Sequence, residues 1–263
     1  MGNSRGQVTI FVILGIVLVI VLVFALFIIK NINSNKDNVA LREAYKGMDF
    51  SSYTDYYVKT CMEDYSKETA YLLVDSAFIN ITKEKTILVG IKRVPLLVDG
   101  QKSNLMTIEQ SQNYYEFLFN SFMKECLSKI DDEVGSDFTI TLGEPSSNVE
   151  FYQTLILINL TYPISATNSK QTIKKESFAY ILDYDLNSKH NLLEVISTKQ
   201  LTTIGYFQIG FVSEEIQKRN LLYEITYEGG PSKIKIFYDL NNERKMEFII
   251  RWNLVLKKQI WLA

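Results

Sequence analysis

One uninterrupted apolar run near the amino terminus constrains this chain more than any other feature. From Val8 to Ile29 the sequence contains no charged residue and no proline. A helix of that length rises about 1.5 Å per residue and reaches about 33 Å, enough to cross a hydrocarbon core of about 30 Å. A helix buried in a protein core usually keeps one polar face, which this run lacks. We therefore predict a short tail at 1–7, a transmembrane helix at 8–29 and the lipid bilayer as a partner.

A removable secretory signal describes the run less well, because such signals have about 7–15 apolar residues followed by a small-residue cleavage site. Here Lys30 ends the run, and no Ala-x-Ala pattern follows. Orientation is less clear from charge. Arg5 precedes the run and four basic residues follow it, which by itself favours a cytoplasmic C-terminal domain. Two other features favour the opposite orientation.

The first is the sequence Arg5-Gly6-Gln7-Val8. It resembles the class III signal of archaeal type IV pilins and archaellins, in which the apolar helix stays on the mature protein. Many of these pilins continue as Gln-x-Ser-x-Glu; here Gln7 matches, Thr9 replaces the serine, and Phe11 stands where the acid would be. The resemblance covers about the first 25 residues. It implies cleavage between Gly6 and Gln7 by a prepilin-type peptidase, a domain outside the cell, and self-association through the helix. The alternative is an ordinary signal anchor.

The second feature is the pair of cysteines, Cys61 and Cys126. Each lies in a segment with helical spacing, and an even count suits an oxidising compartment. We predict one disulfide between two helices. In the chain-entropy model, closing so long a loop stabilises the fold by about 4 kcal/mol. Two buried free thiols are the alternative.

For the remaining residues we predict a juxtamembrane linker at 30–50 and a domain at 51–263, with a possible sub-boundary near 135. The formal net charge is −2, which argues against nucleic acid as a partner. Helical patterns come first and β-rich patterns later. We therefore predict an α+β fold with two main helices and a largely antiparallel sheet.

Helical spacing predicts the two main helices at Tyr56–Val74 and Ile108–Ile130. Leu192–Gln208 is ambiguous but favours a helix, and Ser213–Arg219 predicts a short one. A hairpin is expected from FINIT (78–82) and KTILVGI (85–91), with turns at Pro95 and Asp99-Gly100. A strand is expected at DFTITLG (137–143). VEFYQTLILINLTYPI (149–164) reads as one long strand stopped by Pro163, and QTIKKESFAYIL (171–182) as a strand or a helix start. Three strands follow between 221 and 252, with turns at Gly229-Gly230-Pro231 and Asn241-Asn242.

The sequence offers little catalytic chemistry, so we predict no enzyme activity and no cofactor. The one histidine, His190, lies in a polar stretch and is expected in a surface loop. Asp131, Asp132 and Glu133, with Asp137, are read as a solvated turn rather than a divalent-cation site. Asp183 and Asp185 could share one face of a strand and act as paired carboxylates, although a loop is the simpler interpretation.

The 16 tyrosines include clusters at Tyr53, Tyr56 and Tyr57 and at Tyr114 and Tyr115. They are interpreted as an amphipathic rim of the core; a sticky interaction surface is the alternative. Two glycosylation sequons occur, Asn80-Ile81-Thr82 and Asn159-Leu160-Thr161.

These observations favour a membrane-anchored, non-enzymatic cell-surface protein, with a type IV pilin-like filament subunit as its most specific version. One alternative is an anchored ligand-binding sensor or enzyme, with a pocket around Asp183 and Asp185 or around the Asp131 group. Another is a cytoplasm-facing assembly partner of a pilus or secretion machine.

Overall fold

The computed structural model describes residues 50–81, 85–89, 91–130, 139–167, 172–203, 206–227, 232–237 and 245–251. The chain divides into two units, 1–53 and 54–263, and the described residues belong to the second except for residues 50–53 at the start of the first helix. The predicted span at 8–29 lies outside the described residues, as do Gly6, Gln7 and residues 30–49 of the linker predicted at 30–50. Within the described ranges, no helix combines the length and apolarity needed to cross a membrane.

Four helices lie in the described part of the chain: α1 (Phe50–Asp75), α2 (Ile108–Leu127), α3 (Leu186–Leu201) and α4 (Ile209–Gln217). The first two confirm the main helices predicted from spacing. The N-terminus of α2 is fixed by a capping box, because Thr107 Oγ1 accepts from the Gln110 backbone while the Gln110 side chain accepts from the Thr107 backbone. The ambiguous Leu192–Gln208 segment is indeed largely helical, but its helix begins six residues earlier and ends at Leu201.

Among the described residues, ten strands form two sheets. Their bounds are β1 (Thr86–Val89), β2 (Lys92–Asp99), β3 (Lys102–Ser103), β4 (Thr139–Leu142), β5 (Ser146–Phe151), β6 (Ile156–Thr167), β7 (Thr172–Leu182), β8 (Leu222–Tyr227), β9 (Ser232–Phe237) and β10 (Lys245–Arg251). The first sheet has the order β1-β2-β10-β9-β8, with β3 paired to β2. All its pairs are antiparallel except β2 with β10, which is parallel. The predicted α+β class is confirmed, with two sheets in place of one.

The second sheet is built around β6. Strand β7 pairs with β6 along one edge, from Ile156 to Thr167, while β5 and β4 follow one another along the opposite edge. Alternate residues of β6 from Ile156 to Ala166 are buried, at most 1% exposed, and the residues between them face outward. Because successive side chains of a strand point to opposite faces, this sheet has one face toward the core and one open face.

The predicted hairpin at 78–91 is placed wrongly. Residues 78–81 are not a strand: Ala77 and Phe78 adopt left-handed φ values of 52° and 53°, and they follow directly on the end of α1. The segment is apolar because it is buried; Ala77, Phe78 and Ile79 have no exposed surface. The actual hairpin joins β1 to β2, and Pro95 lies within β2 rather than at a turn. Gly100, at φ 62°, does mark a turn.

The long strand predicted at 149–164 is two strands, β5 and β6, joined by a tight hairpin in which Tyr152 N–H donates to the Leu155 carbonyl at 2.9 Å. Pro163 does not stop β6, because the β6–β7 register shifts between Thr161 and Ile164. An imino residue is tolerated at such an irregularity. Its ring lies over Gly143, where an added Cβ would come within 3.0 Å of Pro163 Cδ. Within the segment predicted at 171–182, residues 172–182 form the strand β7 and do not begin a helix.

The three C-terminal strands β8, β9 and β10 form the predicted meander. Their predicted turns, at 229–231 and 241–242, lie outside the described residues. Strand β2 lies before the possible sub-boundary near residue 135, and β10 lies after it. Because these two strands pair, the first sheet joins parts of the chain from both sides of that position. Arg251 at the end of β10 makes two hydrogen bonds of 2.7 Å to the Asp99 carboxylate on β2, which reinforces this parallel pair.

Candidate functional site

A disulfide between Cys61 and Cys126 joins α1 to α2, as predicted. The two Cα atoms lie 6.2 Å apart, and 65 residues separate them in sequence. Cys61 is buried at 3% exposure. The Tyr57 hydroxyl donates to the Cys126 carbonyl at 3.2 Å, and Tyr65 stacks on Phe122 with ring centroids 5.3 Å apart. The covalent bond thus lies within a packed helix pair.

The tyrosine clusters divide between core and rim. Tyr115 is fully buried, and its hydroxyl donates to the Ser66 carbonyl at 2.8 Å across the helix pair. Burial raises the pKa of Tyr115, so the group stays a neutral donor. Tyr53 is buried, Tyr57 and Tyr114 are half-buried, and Tyr56 is 46% exposed. This distribution agrees with the amphipathic-rim interpretation.

The prediction of His190 as a surface-loop residue is wrong. His190 lies in the second turn of α3 and is only 5% exposed. Its Nε2–H donates to the Met106 carbonyl at 2.7 Å, and its ring meets Phe78 edge-on at 5.3 Å. The Met106 amide in turn donates to the Phe78 carbonyl at 3.0 Å. His190 therefore connects α3 to the loop after α1, which contains Phe78, and to the loop after β3, which contains Met106. Its polar neighbours had concealed a helical position facing the core.

Asp183 and Asp185 do not form a carboxylate pair on a strand. Both lie in the loop between β7 and α3, which confirms the simpler interpretation. Asp185 is the N-cap of α3 and accepts from the Ser188 backbone at 2.8 Å. Nearby, Lys189 Nζ lies 4.3 Å from the centroid of the Tyr184 ring and donates to the Asp185 carbonyl. Burial lowers the pKa of Lys189.

Candidate metal ligands are not brought together in the described part of the chain, where no group of three or more His, Cys, Asp or Glu side chains has suitable geometry. The acidic cluster Asp131, Asp132, Glu133 and Asp137 lies outside the described residues. The paired-acid and metal interpretations therefore gain no support from the described geometry.

A buried carboxylate links three strands of the first sheet. Glu247 on β10 is 4% exposed and accepts from Lys92 Nζ on β2 at 2.8 Å and from Lys233 Nζ on β9 at 2.9 Å. Burial by itself would raise the pKa of Glu247, but the two lysine hydrogen bonds outweigh it and hold that pKa below its usual range. Sequence reasoning missed this group, since three distant charges give no local signal.

We expect Glu247→Gln to lower the free energy of unfolding by about 1–2 kcal/mol at neutral pH, because one strong acceptor of two ammonium groups is lost. Because the pKa of Glu247 is lower in the folded than in the unfolded protein, its carboxylate contributes fully to the free energy of unfolding at pH values above the unfolded pKa. That contribution disappears as pH falls through the folded value. Urea unfolding of wild type and variant from pH 7 to pH 3 should therefore converge at the acid end. Glu144→Gln is the matched control: its partner Lys124 and Glu144 itself are well exposed, and its removal should change little. A constant gap between wild type and Glu247→Gln at all pH values would contradict this account.

The open face of the second sheet carries a shallow hollow of about 450 Å³ at its β5–β6 end. Two apolar side chains in its lining are unusually exposed, Ile181 at 60% and Tyr152 at 48%. Leu157 and Ile181 lie directly opposite each other on β6 and β7. The described residues that line this hollow are Tyr152, Gln153, Thr154, Leu155, Leu157 and Ile181. A smaller hollow of about 200 Å³ lies at the other end of the sheet, around Gly143 and Pro163.

Farther along the same open face the side chains become small and polar. Asn159 and Thr161 point outward from β6, and the residues opposite them are Asn148 and Ser146 on β5 and Ala179 and Ser177 on β7. All six are exposed. The alternation of LINLTYPI gives a local sequence signal for this face, but the sequence does not show which side of the sheet is left open. No protein-family model matches the chain, and neither a curated protein nor a solved structure is significantly similar to it.

Proposed function

We propose that this chain is a membrane-anchored, non-enzymatic cell-surface protein whose domain at 51–263 lies outside the cell. The observation that carries the proposal is the Cys61–Cys126 disulfide. Disulfides between structural helices persist in oxidising compartments and are rare in the cytosol. The apolar run from Val8 to Ile29 supplies the anchor, and its length matches the bilayer. The domain acts through structural or adhesive contact.

The placement of the domain is tested in intact cells. A membrane-impermeant protease should degrade the domain without cell lysis, and a non-reducing gel of rapidly alkylated cells should show Cys61 bonded to Cys126. A domain that is cleaved only after lysis, with both thiols free, would overturn the proposal. That result would favour a cytoplasm-facing assembly partner of a pilus or secretion machine.

The more specific proposal is a type IV pilin-like subunit. It rests on the Arg5-Gly6-Gln7 sequence directly before the apolar run. A prepilin-type peptidase would cut after Gly6, and the helix would then leave the bilayer and pack against copies of itself. Apolar helix faces pack as well against each other as against lipid chains, so the same run serves in both environments.

We expect the mature protein to begin at Gln7, as read by mass spectrometry of the purified native chain. Gly6→Leu should leave the first six residues in place, because a bulky side chain replaces the small residue before the cut, and should prevent filament formation as seen by electron microscopy. Gly2→Leu, outside the motif, is the matched control and should be processed normally. A wild-type protein that keeps its first six residues would instead identify a plain signal anchor.

A further inference from the structure

The sequon Asn159-Leu160-Thr161 lies on the central strand of the second sheet, and the structure shows how its residues are presented. In a strand, residues two apart share a face. Asn159 and Thr161 are both exposed on the open face, while Leu160 between them is buried at 1%. The side-chain amide and the hydroxyl that such a motif needs are thus neighbours on one surface.

The surroundings of Asn159 leave room for a large substituent. Its cross-strand neighbours are Asn148 on β5 and Ala179 on β7, both small and exposed. Next to them lie Ser146 and Ser177, opposite Thr161. The side chains directly opposite Asn159 are short and uncharged. Glu150, the next outward-facing residue on β5, lies opposite Leu157, and its carboxylate accepts from the Tyr152 hydroxyl. The residues directly opposite Asn159 therefore leave space on the open face for a group attached to Asn159 Nδ2.

The apolar hollow begins at the next residue of β6 that shares the open face with Asn159. Leu157 is two residues away on the same face, with Ile181 opposite it and Tyr152 at the hairpin. Exposed apolar side chains such as Ile181 leave surface in contact with water, at a free-energy cost. A pyranose ring has an apolar C–H face that would cover this surface, and the ring nearest to Asn159 is within reach of it.

We propose that Asn159 carries an N-linked glycan whose first sugar covers the hollow lined by Leu157, Ile181 and Tyr152. The acceptor is the Asn159 amide nitrogen, and the donor is an oligosaccharide linked through phosphate to a lipid. A bond forms between Nδ2 and the anomeric carbon, the bond from that carbon to the phosphate oxygen breaks, the lipid phosphate leaves, and the amide proton passes to a base of the transferase. Transfer takes place on the extended chain during export, before the sheet closes around β6.

The other sequon is a less definite site. Asn80 is exposed, but Thr82 lies outside the described residues. Asn159 is therefore the proposed site, and Asn80 serves as an internal comparison. Modification of Asn159 requires the proposed location of the domain outside the cell, because the transferase acts on exported chains.

The test uses full-length protein purified from native membranes, reduced and digested with trypsin. Asn159 falls in peptide 130–170 and Asn80 in peptide 68–83, neither of which has an internal Lys or Arg. We expect peptide 130–170 to carry a mass increase of whole sugar residues, located on Asn159 by fragmentation. Asn159→Gln and Thr161→Ala should abolish it, while Thr161→Ser should retain it because serine also completes the sequon. Peptide 130–170 recovered only at its unmodified mass, or sugar on Asn80 alone, would overturn the inference.

Protease treatment of intact cells separates the two proposals. A domain that is accessible from outside but unmodified at Asn159 would end this inference and leave the proposed function standing. A domain that is inaccessible would end the proposed function itself.

A separate measurement tests whether the first sugar contacts the apolar hollow. The glycan should raise the thermal midpoint of the wild-type protein above that of Asn159→Gln. In an Ile181→Ser background, where part of the apolar surface is gone, the same comparison should show a smaller gain. An equal gain in both backgrounds would place the sugar away from the hollow.

Discussion

Replacing both bridged cysteines, as Cys61→Ala with Cys126→Ala, should lower the free energy of unfolding of the domain by about 4 kcal/mol. The bridge closes a sequence separation of 65 residues, and the chain-entropy model gives that order of stabilisation for such a loop. A typical domain has a total stability of about 5–15 kcal/mol, so much of the margin would be lost. Urea unfolding of the full-length chain in detergent, followed by the fluorescence of its aromatic residues, measures the change.

Reduction supplies the matched control for the disulfide prediction. Reductant should lower the wild-type urea midpoint to nearly that of the double variant, whose own midpoint should not respond to reductant. The Tyr57 hydroxyl keeps its acceptor in both cases, because the Cys126 carbonyl is a backbone group. If reductant left the wild-type urea midpoint unchanged, the disulfide would contribute nothing to the free energy of unfolding. The argument for an oxidising compartment would then depend only on the existence of the disulfide and not on any stabilisation by it.

The spacing of apolar residues in the sequence predicted those helices and strands that bury one face and expose the other. Helix α2 repeats its buried residues, Tyr115, Phe119, Met123 and Leu127, at intervals of four, and its prediction was accurate at the N-terminus. The pairing of Cys61 with Cys126 followed from the same reasoning, since each cysteine lay in a predicted helix. The C-terminal meander was also visible, because β9 alternates buried and half-buried residues and the predicted turns contain glycine or asparagine.

The mistakes share a physical cause, which is that burial and backbone conformation are separate properties. Phe78 and Ile79 are buried just after α1, where Ala77 and Phe78 adopt left-handed φ values, and an apolar run of this kind looks like a strand in the sequence. The β5–β6 hairpin turns at Gln153 and Thr154, which carry none of the usual turn chemistry, so two strands were read as one. Pro163 was read as a stop because the register shift that accommodates it is a tertiary feature.

The surface features could be predicted only in part. The sequon at Asn159 is visible in the sequence, but its position on an open face depends on which side of β6 the core occupies. The lysine pair around Glu247 joins β2, β9 and β10, and no local pattern connects those strands. Contacts that depend on which strands become neighbours require the topology, and the parallel β2–β10 pair was not foreseen.

His190 gives the second large expected effect. His190→Ala should lower the free energy of unfolding by about 3 kcal/mol, because it leaves a cavity beside Phe78 and removes the donor to the carbonyl of Met106, a residue that is only 7% exposed. A surface-loop histidine, by contrast, would change stability by less than about 0.5 kcal/mol. The measurement is the urea midpoint of the full-length chain at neutral pH.

Two further variants separate packing from hydrogen bonding at this position. His190→Phe keeps a ring of similar size against Phe78 but cannot donate to Met106, so its cost of about 1–3 kcal/mol reports the orphaned carbonyl. Thr198→Ala, an exposed position on the same helix, is the control for changes in helix propensity and should be neutral or slightly stabilising. Should His190→Ala unfold at the same urea concentration as Thr198→Ala, the contacts of His190 would not hold α3 to the loops after α1 and β3, and those loops would owe their conformation to the buried Ala77, Phe78 and Ile79 instead.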